Sequence, residues 1–261
     1  PNSNFGYSVS PLDNFHNVID QKYLLGEDIK PGIILSGSRG AFYEIMDVIG
    51  HGAMGKVYKG KRLNDNLTVA VKTMLFSALS DINRFLLEGL MLVRFDHPNI
   101  VKGYDIRQIC AMENGKAQLK LFMVMEFLPG QNIKDMLDNS KTGTLPVKWS
   151  TEIMLYSARA LSYMWENQTI HRDIKPENIQ ITDKKQVKLI DLGIARSEGG
   201  MQDISLTAKD TIIGSYPYIS PERIKSAAVD YRSDVYSLGA TYYHMLTGMP
   251  PYLDEYRGKG G

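Results

Sequence analysis

The chain has 261 residues, 43% of them hydrophobic and 23% charged, which is ordinary for a globular protein and long enough for one large domain or two lobes. Thirty basic residues against 29 acidic ones leave a formal charge of +1, so no one-sided field points to nucleic acid or an anionic membrane as partner. The single cysteine, Cys110, excludes an intrachain disulfide and suits a reducing, cytoplasmic setting.

Residues 1–41 are rich in Asn, Ser, Gly and Pro, with scattered apolar positions such as Val18, Ile19, Leu24 and Leu25. They read as an N-terminal extension that adds at most a strand or short helix. Its opening stretch, PNSNFGYSVSPLDNF, lacks the basic start and apolar core of a signal peptide. No later apolar run approaches the ~20 residues that span a bilayer.

From Phe42 the pattern changes. FYEIMDVIG reads as a strand, GHGAMG as a glycine turn, KVYKGKR as a second strand and LTVAVKTML as a third. SDINRFLLEGLMLVRF places Phe85, Leu86, Leu90 and Val93 at helical spacing behind a Ser-Asp start signal. IVKGYDIRQI and QLKLFMVMEF read as a hairpin turning at Asn114-Gly115. After Pro129-Gly130 the character is helical, in NIKDMLDNS and the long amphipathic VKWSTEIMLYSARALSYMWEN. The organisation expected is an extension (1–41), a strand-rich lobe (42–128) and a helical lobe (129–261).

Three features carry chemistry. Ile49-Gly50-His51-Gly52-Ala53-Met54-Gly55-Lys56-Val57 has the form G-x-G-x-x-G-x-V between two strands. Glycines let backbone N–H groups approach phosphate oxygens without a Cβ in the way, although a glycine hairpin is as often a plain turn. A strand after the glycines argues against a dinucleotide-binding turn, and G-x-x-x-x-G-K-[ST] is absent. Lys72, in Val69-Ala70-Val71-Lys72, lies on the strand after that loop. Reaching solvent is one reading of it. The other is an anion held by the glycines and a helix carboxylate, for which Glu88 is the candidate, because a buried glutamate without a cation is costly.

His171-Arg172-Asp173-Ile174-Lys175-Pro176-Glu177-Asn178 is H-R-D-x-K-x-x-N, and it resembles the protein-kinase catalytic loop at every defining position. Farther on, Asp191-Leu192-Gly193 resembles D-F-G, Ser220-Pro221-Glu222 resembles A-P-E, and Arg232-Ser233-Asp234-Val235-Tyr236-Ser237-Leu238-Gly239 resembles the helix whose aspartate clamps the catalytic loop. The chain is identified by these motifs as similar to eukaryotic-like (Hanks-type) serine/threonine protein kinases, most like bacterial members in GAMGKVYKG, DLGIAR and YRSDVYSLG.

That resemblance implies a two-lobed α+β fold, an antiparallel N-terminal sheet with one helix over a helical C-terminal lobe. It implies ATP and Mg2+, with Mn2+ as the alternative ion, and a Ser/Thr protein substrate. Asp173 would accept the hydroxyl proton, Lys175 would steady the γ-phosphoryl group, and Asn178 and Asp191 would hold the metal. Val57 and Ala70 would roof the adenine under the rim at Ile49, Gly50, Gly52 and Gly55. Met125 would be the gatekeeper, and Glu126 and Leu128 would offer backbone hydrogen bonds. Asn132 falls where many kinases keep a ribose-binding carboxylate.

Departures from the family pattern carry expectations of their own. Gln180 stands where an apolar residue underlies the adenine. Gly103 replaces a bulky member of the column Leu92, Leu192 and His171, a gap expected to loosen the helix of Glu88. The chain reaches Gly261 soon after Asp234, so the helical lobe is expected to be incomplete, with no arginine for Glu222. Two alternatives to an active kinase are a nucleotide-binding scaffold and a piece inactive without further helices; a small-molecule kinase fits H-R-D-x-K poorly.

The segment between Asp191 and Glu222 holds Ser205, Thr207, Thr211 and Ser215. Arg172, Arg196 and Arg84 are expected to gather a phosphate on Thr211, or second on Thr207, since converging cations repel one another without an anion. Self-association for autophosphorylation would follow.

Overall fold

Alternation of apolar residues builds the N-terminal lobe, in a computed structural model that describes residues 31–52, 55–74, 79–113, 116–192, 216–225 and 229–252. Six strands form one antiparallel sheet: β1 (Ile34–Ser36), β2 (Phe42–Gly52), β3 (Gly55–Arg62), β4 (Leu67–Thr73), β5 (Gly103–Glu113) and β6 (Lys116–Glu126). Their order is β1-β2-β3-β4-β6-β5. Because side chains alternate across a strand, Val69 and Val71 of β4 and Phe122 and Val124 of β6 face one core with Leu35, Tyr43, Ile45 and Tyr58. The intervening Ala70, Leu121, Met123 and Met125 face the other, larger core.

The N-terminal extension thus contributes to the sheet. Leu35 of β1 pairs with Tyr43 and is buried, and the turn after it is held at the opposite side of the sheet, where the Ser38 N–H donates to Asp105 of β5 at 2.6 Å. The β5–β6 hairpin ends with Glu113 opposite Lys116, so its connection is residues 114–115, which lie outside the described residues.

The helix α1 (Leu79–Arg94) buries Ile82, Phe85, Leu86 and Leu92 against the larger core. Val93, expected on the same face, is 38% exposed: Leu92 takes the core position, and its neighbour turns to solvent. The expected loosening of α1 at Gly103 is not found. A Cβ at Gly103 would lie 2.6 Å from both the Leu92 carbonyl carbon and the Val93 nitrogen. The helix backbone itself fills the space of the missing side chain.

The C-terminal lobe consists of β7 (Gly130–Asn132), α2 (Ile133–Asp138), α3 (Val147–Glu166), β8 (Ile179–Thr182), β9 (Val187–Leu189), α4 (Pro221–Ile224) and α5 (Tyr231–Thr247). Helix starts and stops follow local chemistry. Asn132 caps α2 by accepting from the Asp135 N–H, Asp230 caps α5 by accepting from the Arg232 N–H, and Gly248 (φ 80°) ends α5. Strands β7, β8 and β9 make a small antiparallel sheet in that order. The lobes are stitched where the Val101 N–H donates to the Leu189 carbonyl and the Leu189 N–H to the Asn99 carbonyl. Among the described residues no helix is long and apolar enough to cross a membrane.

Candidate active site

The glycine turn comes first. Gly50 pairs with Val57 and Gly52 with Gly55, which closes the β2–β3 hairpin, while residues 53–54 lie outside the described residues. Gly55 has φ 150°, and a Cβ there would stand 1.9 Å from the Thr73 carbonyl oxygen, so only glycine fits.

Behind the turn, strand and helix meet. Lys72 Nζ donates to Glu88 at 2.9 Å and to Asp191 at 2.6 Å. The Lys72 and Glu88 side chains are 13% and 8% exposed, whereas that of Asp191 is 51% exposed. Burial disfavours the Lys72 ammonium, but the Asp191 and Glu88 carboxylates outweigh it and hold its pKa above the ordinary value. Burial pushes Glu88 up against the pull of Lys72, while Lys72 pulls the half-exposed Asp191 below its usual range. Two carboxylates and one ammonium leave this group one negative charge in excess. Asp191 has φ 52°, a strained backbone conformation of the kind that collects at functional positions.

The catalytic-loop residues are fixed from below. Asp234 of α5, buried, accepts from the backbone N–H groups of His171 and Arg172, each at 2.7 Å. His171 is wholly buried. Its Nδ1 accepts from the Asp173 N–H at 3.3 Å, and burial holds its pKa low, so it stays neutral with the proton on Nε2. Asn178 Nδ2 donates to the Asp173 carbonyl at 2.7 Å and to its carboxylate at 2.9 Å, and Lys175 pairs with that carboxylate at 3.0 Å.

These contacts set the donor set for a metal. With both hydrogen bonds of Asn178 Nδ2 directed at Asp173, its Oδ1 is left as a hard oxygen ligand. Asp191 keeps one oxygen that accepts nothing among the described residues. Among the described residues there is no group of three or more His, Cys, Asp or Glu that could hold a metal. A magnesium ion taking one amide and one carboxylate oxygen, with phosphate and water completing six ligands, fits such a pair.

Around the cleft the picture is mixed. Ala70 and Met125 are buried, Val57 packs against the same core, and Ile49 is exposed. The Asn132 side-chain oxygen is committed to capping α2. Gln180 donates to the Leu128 carbonyl at 3.2 Å. Glu222 accepts a hydrogen bond from Ser233, which holds its pKa low. Arg172 has φ 68°, and its carbonyl accepts from Arg223. Arg196, Thr207, Thr211 and the Arg84 side chain lie outside the described residues.

Sequence reasoning missed Lys188. On β9, it donates to Glu126 at 2.7 Å, joining the small sheet of one lobe to the last residue of β6 in the other. A lysine between valine and leucine in a strand that reads as core was the signal, the same one that singled out Lys72.

Comparison with known proteins follows this geometry. Residues 43–259 match the family described as Protein kinase domain. A probable serine/threonine-protein kinase PknB of Bifidobacterium longum is 36% identical over 225 residues, which is 85% of this chain and 32% of that protein. Serine/threonine-protein kinase PknB of Mycobacterium leprae is 35% identical over 216 residues, 82% of this chain and 33% of that one. The crystal structure of the Mycobacterium tuberculosis PknI kinase domain superposes with a TM-score of 0.65 at 26% identity, covering 86% of this chain and 78% of that one. The chain spans about a third of the length of the curated relatives it matches.

Proposed function

The chain belongs to the protein kinase domain family, and from that premise we propose that it transfers the γ-phosphoryl group of ATP to serine and threonine hydroxyls of proteins. The observation that carries the reading is Lys72, held between Glu88 and Asp191, together with Asp173 held beside Lys175 and Asn178.

Asp173 orients the incoming hydroxyl and takes its proton, its carboxylate aimed by the Asn178 N–H. Lys175, beside it, stabilises the charge carried by the phosphoryl group in transfer. Lys72 fixes the non-reacting phosphates, and Glu88 fixes Lys72. Asn178 and Asp191 would hold magnesium, which would neutralise phosphate charge. Gly50, Gly52 and Gly55 bring backbone N–H groups to the phosphates, and Val57, Ala70, Glu126 and Leu128 receive the adenine.

Control by phosphorylation of Thr211, with Thr207 second, belongs to the same reading. It is supported by the place of Thr211 four residues before Ser215 and by Arg172 directly before Asp173. One copy would then phosphorylate another, in the cytoplasm.

The test is incubation of this chain, and of a longer form, with radiolabelled ATP, Mg2+ and a generic protein substrate, followed by phosphoamino-acid analysis. Label on serine and threonine is the expected result. ATP binding by both forms without transfer by either contradicts the reading and favours a nucleotide-binding scaffold.

A further inference from the structure

Arg172, directly before Asp173, holds φ at 68°, a region that residues other than glycine keep only where their surroundings impose it. Here two side chains impose it from two directions. Asp234 accepts from the His171 and Arg172 N–H groups, each at 2.7 Å, and Arg223 donates through Nη1 to the Arg172 carbonyl. Both arms start from one place. Asp234 lies on α5, and its neighbour Ser233 donates to Glu222, which ties α4 and the half-buried Arg223 to the same helix. The Arg172 carbonyl shares a planar peptide with the Asp173 N–H, which itself donates to His171 Nδ1 at 3.3 Å. With both polar groups of that peptide held, ψ of Arg172 and φ of Asp173 are set. The second of these angles decides the direction in which the Asp173 side chain leaves the backbone.

We propose that Arg223 is a positioning residue for phosphoryl transfer, which aims Asp173 by holding the carbonyl of the residue before it. The inference rests on the kinase reading above. Asn178 and Lys175 tether the Asp173 carboxylate, but the backbone from which it hangs is set by the Arg172–Asp173 peptide. A guanidinium on a carbonyl makes a charge-assisted hydrogen bond, stronger than a neutral one. Without it that peptide is held on its N–H side alone, and the strain at Arg172 turns it toward a more common φ. Asp173 then no longer points at the incoming hydroxyl. Lys72, Glu88 and Asp191 are held by one another, so nucleotide affinity stays at the parental value. Arg223 lines one cleft with Arg172, Asp173 and Lys175, so a small cation from solvent can take the place of its guanidinium once the side chain is removed.

The experiment measures single-turnover transfer from Mg-ATP to a serine-containing protein, and ATP affinity, for the parent, Arg223→Ala and Arg223→Lys, in this chain and in the longer form. Each is assayed with and without guanidinium ion at a low, non-denaturing concentration. Arg223→Ala is expected to lose ~10–100-fold in transfer with ATP affinity within about twofold of the parent. Arg223→Lys, which keeps a cationic donor without the planar fork, should recover part of that loss. Guanidinium should restore part of it in Arg223→Ala and leave the parent unchanged. A side chain that only stabilised the fold would gain nothing from an added denaturant, so an Arg223→Ala loss that neither lysine nor guanidinium relieves overturns the inference. Transfer by Arg223→Ala at the parental rate, or equal losses of transfer and ATP affinity, overturns it as well while leaving the kinase reading intact. A parent that transfers nothing in either form overturns the kinase reading itself, and this inference with it.

Discussion

Alanine in place of Gly103 would put a Cβ 2.6 Å from two backbone atoms of α1 and 2.9 Å from the Leu92 Cβ. Carbon atoms pack at about 3.5–4.0 Å, so the contact must open by roughly 1 Å. No side chain can rotate away, because the obstructing atoms belong to the helix backbone, and α1 must move as a body. Overpacking of this kind costs about 1–3 kcal/mol, of which about 0.4–1 kcal/mol is returned by the lower entropy of the unfolded chain. A net loss of about 1–2 kcal/mol lowers the melting temperature by roughly 2–8 °C for a chain of this size. The same shift stretches the Lys72–Glu88 contact from 2.9 Å toward the limit of a hydrogen bond. Misplacement by ~1 Å at a phosphate-positioning group costs up to ~100-fold in rate. Gly89→Ala is the control: its Cβ would meet first, at 2.2 Å, the terminal carbon of Ile106, which can turn aside, so the loss should be smaller. Thermal unfolding and phosphoryl transfer are measured on both variants. A Gly103→Ala protein as stable and as active as the parent refutes the reasoning and restores the view of Gly103 as a gap.

Acid should destabilise the fold through its buried imidazoles. Burial holds His171 and His244 below the ordinary value of 6.5, so the unfolded chain binds more protons; stability is present above pH 6.5 and lost as pH falls through the folded values. His244 Nδ1 is hydrogen-bonded to the Tyr218 hydroxyl, and His244→Gln, which keeps a hydrogen-bonding side chain but does not titrate, should flatten the fall in urea midpoint between pH 7.5 and 5.5; equal slopes in both proteins contradict this. Lys188→Met should cost about 1–3 kcal/mol in urea denaturation by leaving Glu126 without its cation, and an unchanged midpoint makes the pair incidental. Asp191→Ala should abolish Mg2+-dependent ATP binding while leaving the circular dichroism spectrum unchanged; parental affinity for Mg-ATP removes Asp191 from the metal site.

What the sequence discloses is chemistry that violates a local rule. Lys72 in a β-branched strand and Glu88 among apolar helix residues each look costly alone, and they meet at 2.9 Å. The H-R-D-x-K-x-x-N order places Asp173, Lys175 and Asn178 within six residues, so the contacts among them are short-range in sequence. Other features depend on which element packs where. Gly103 reads as an absence, and only the helix pressed against it shows the space to be filled. The Val93 error has the same origin, since a one-residue rotation of α1 is decided by contact with β5. Gln180–Leu128 and Lys188–Glu126 join residues 52 and 62 positions apart. A half-buried polar residue on a short strand carries no local sign of its partner. Leu35 was hidden because a three-residue strand is too short for its alternation to register.

The central claim is that Asp173 acts on the incoming hydroxyl and not on the nucleotide. Asp173→Asn keeps the shape of the side chain and removes its capacity to take a proton. Single-turnover transfer to a serine-containing protein, with ATP affinity measured on the same samples, separates the two roles. A fall in transfer of ~100-fold or more with ATP affinity within about twofold of the parent is the predicted result. Equal losses of binding and transfer, or transfer at the parental rate, would contradict it.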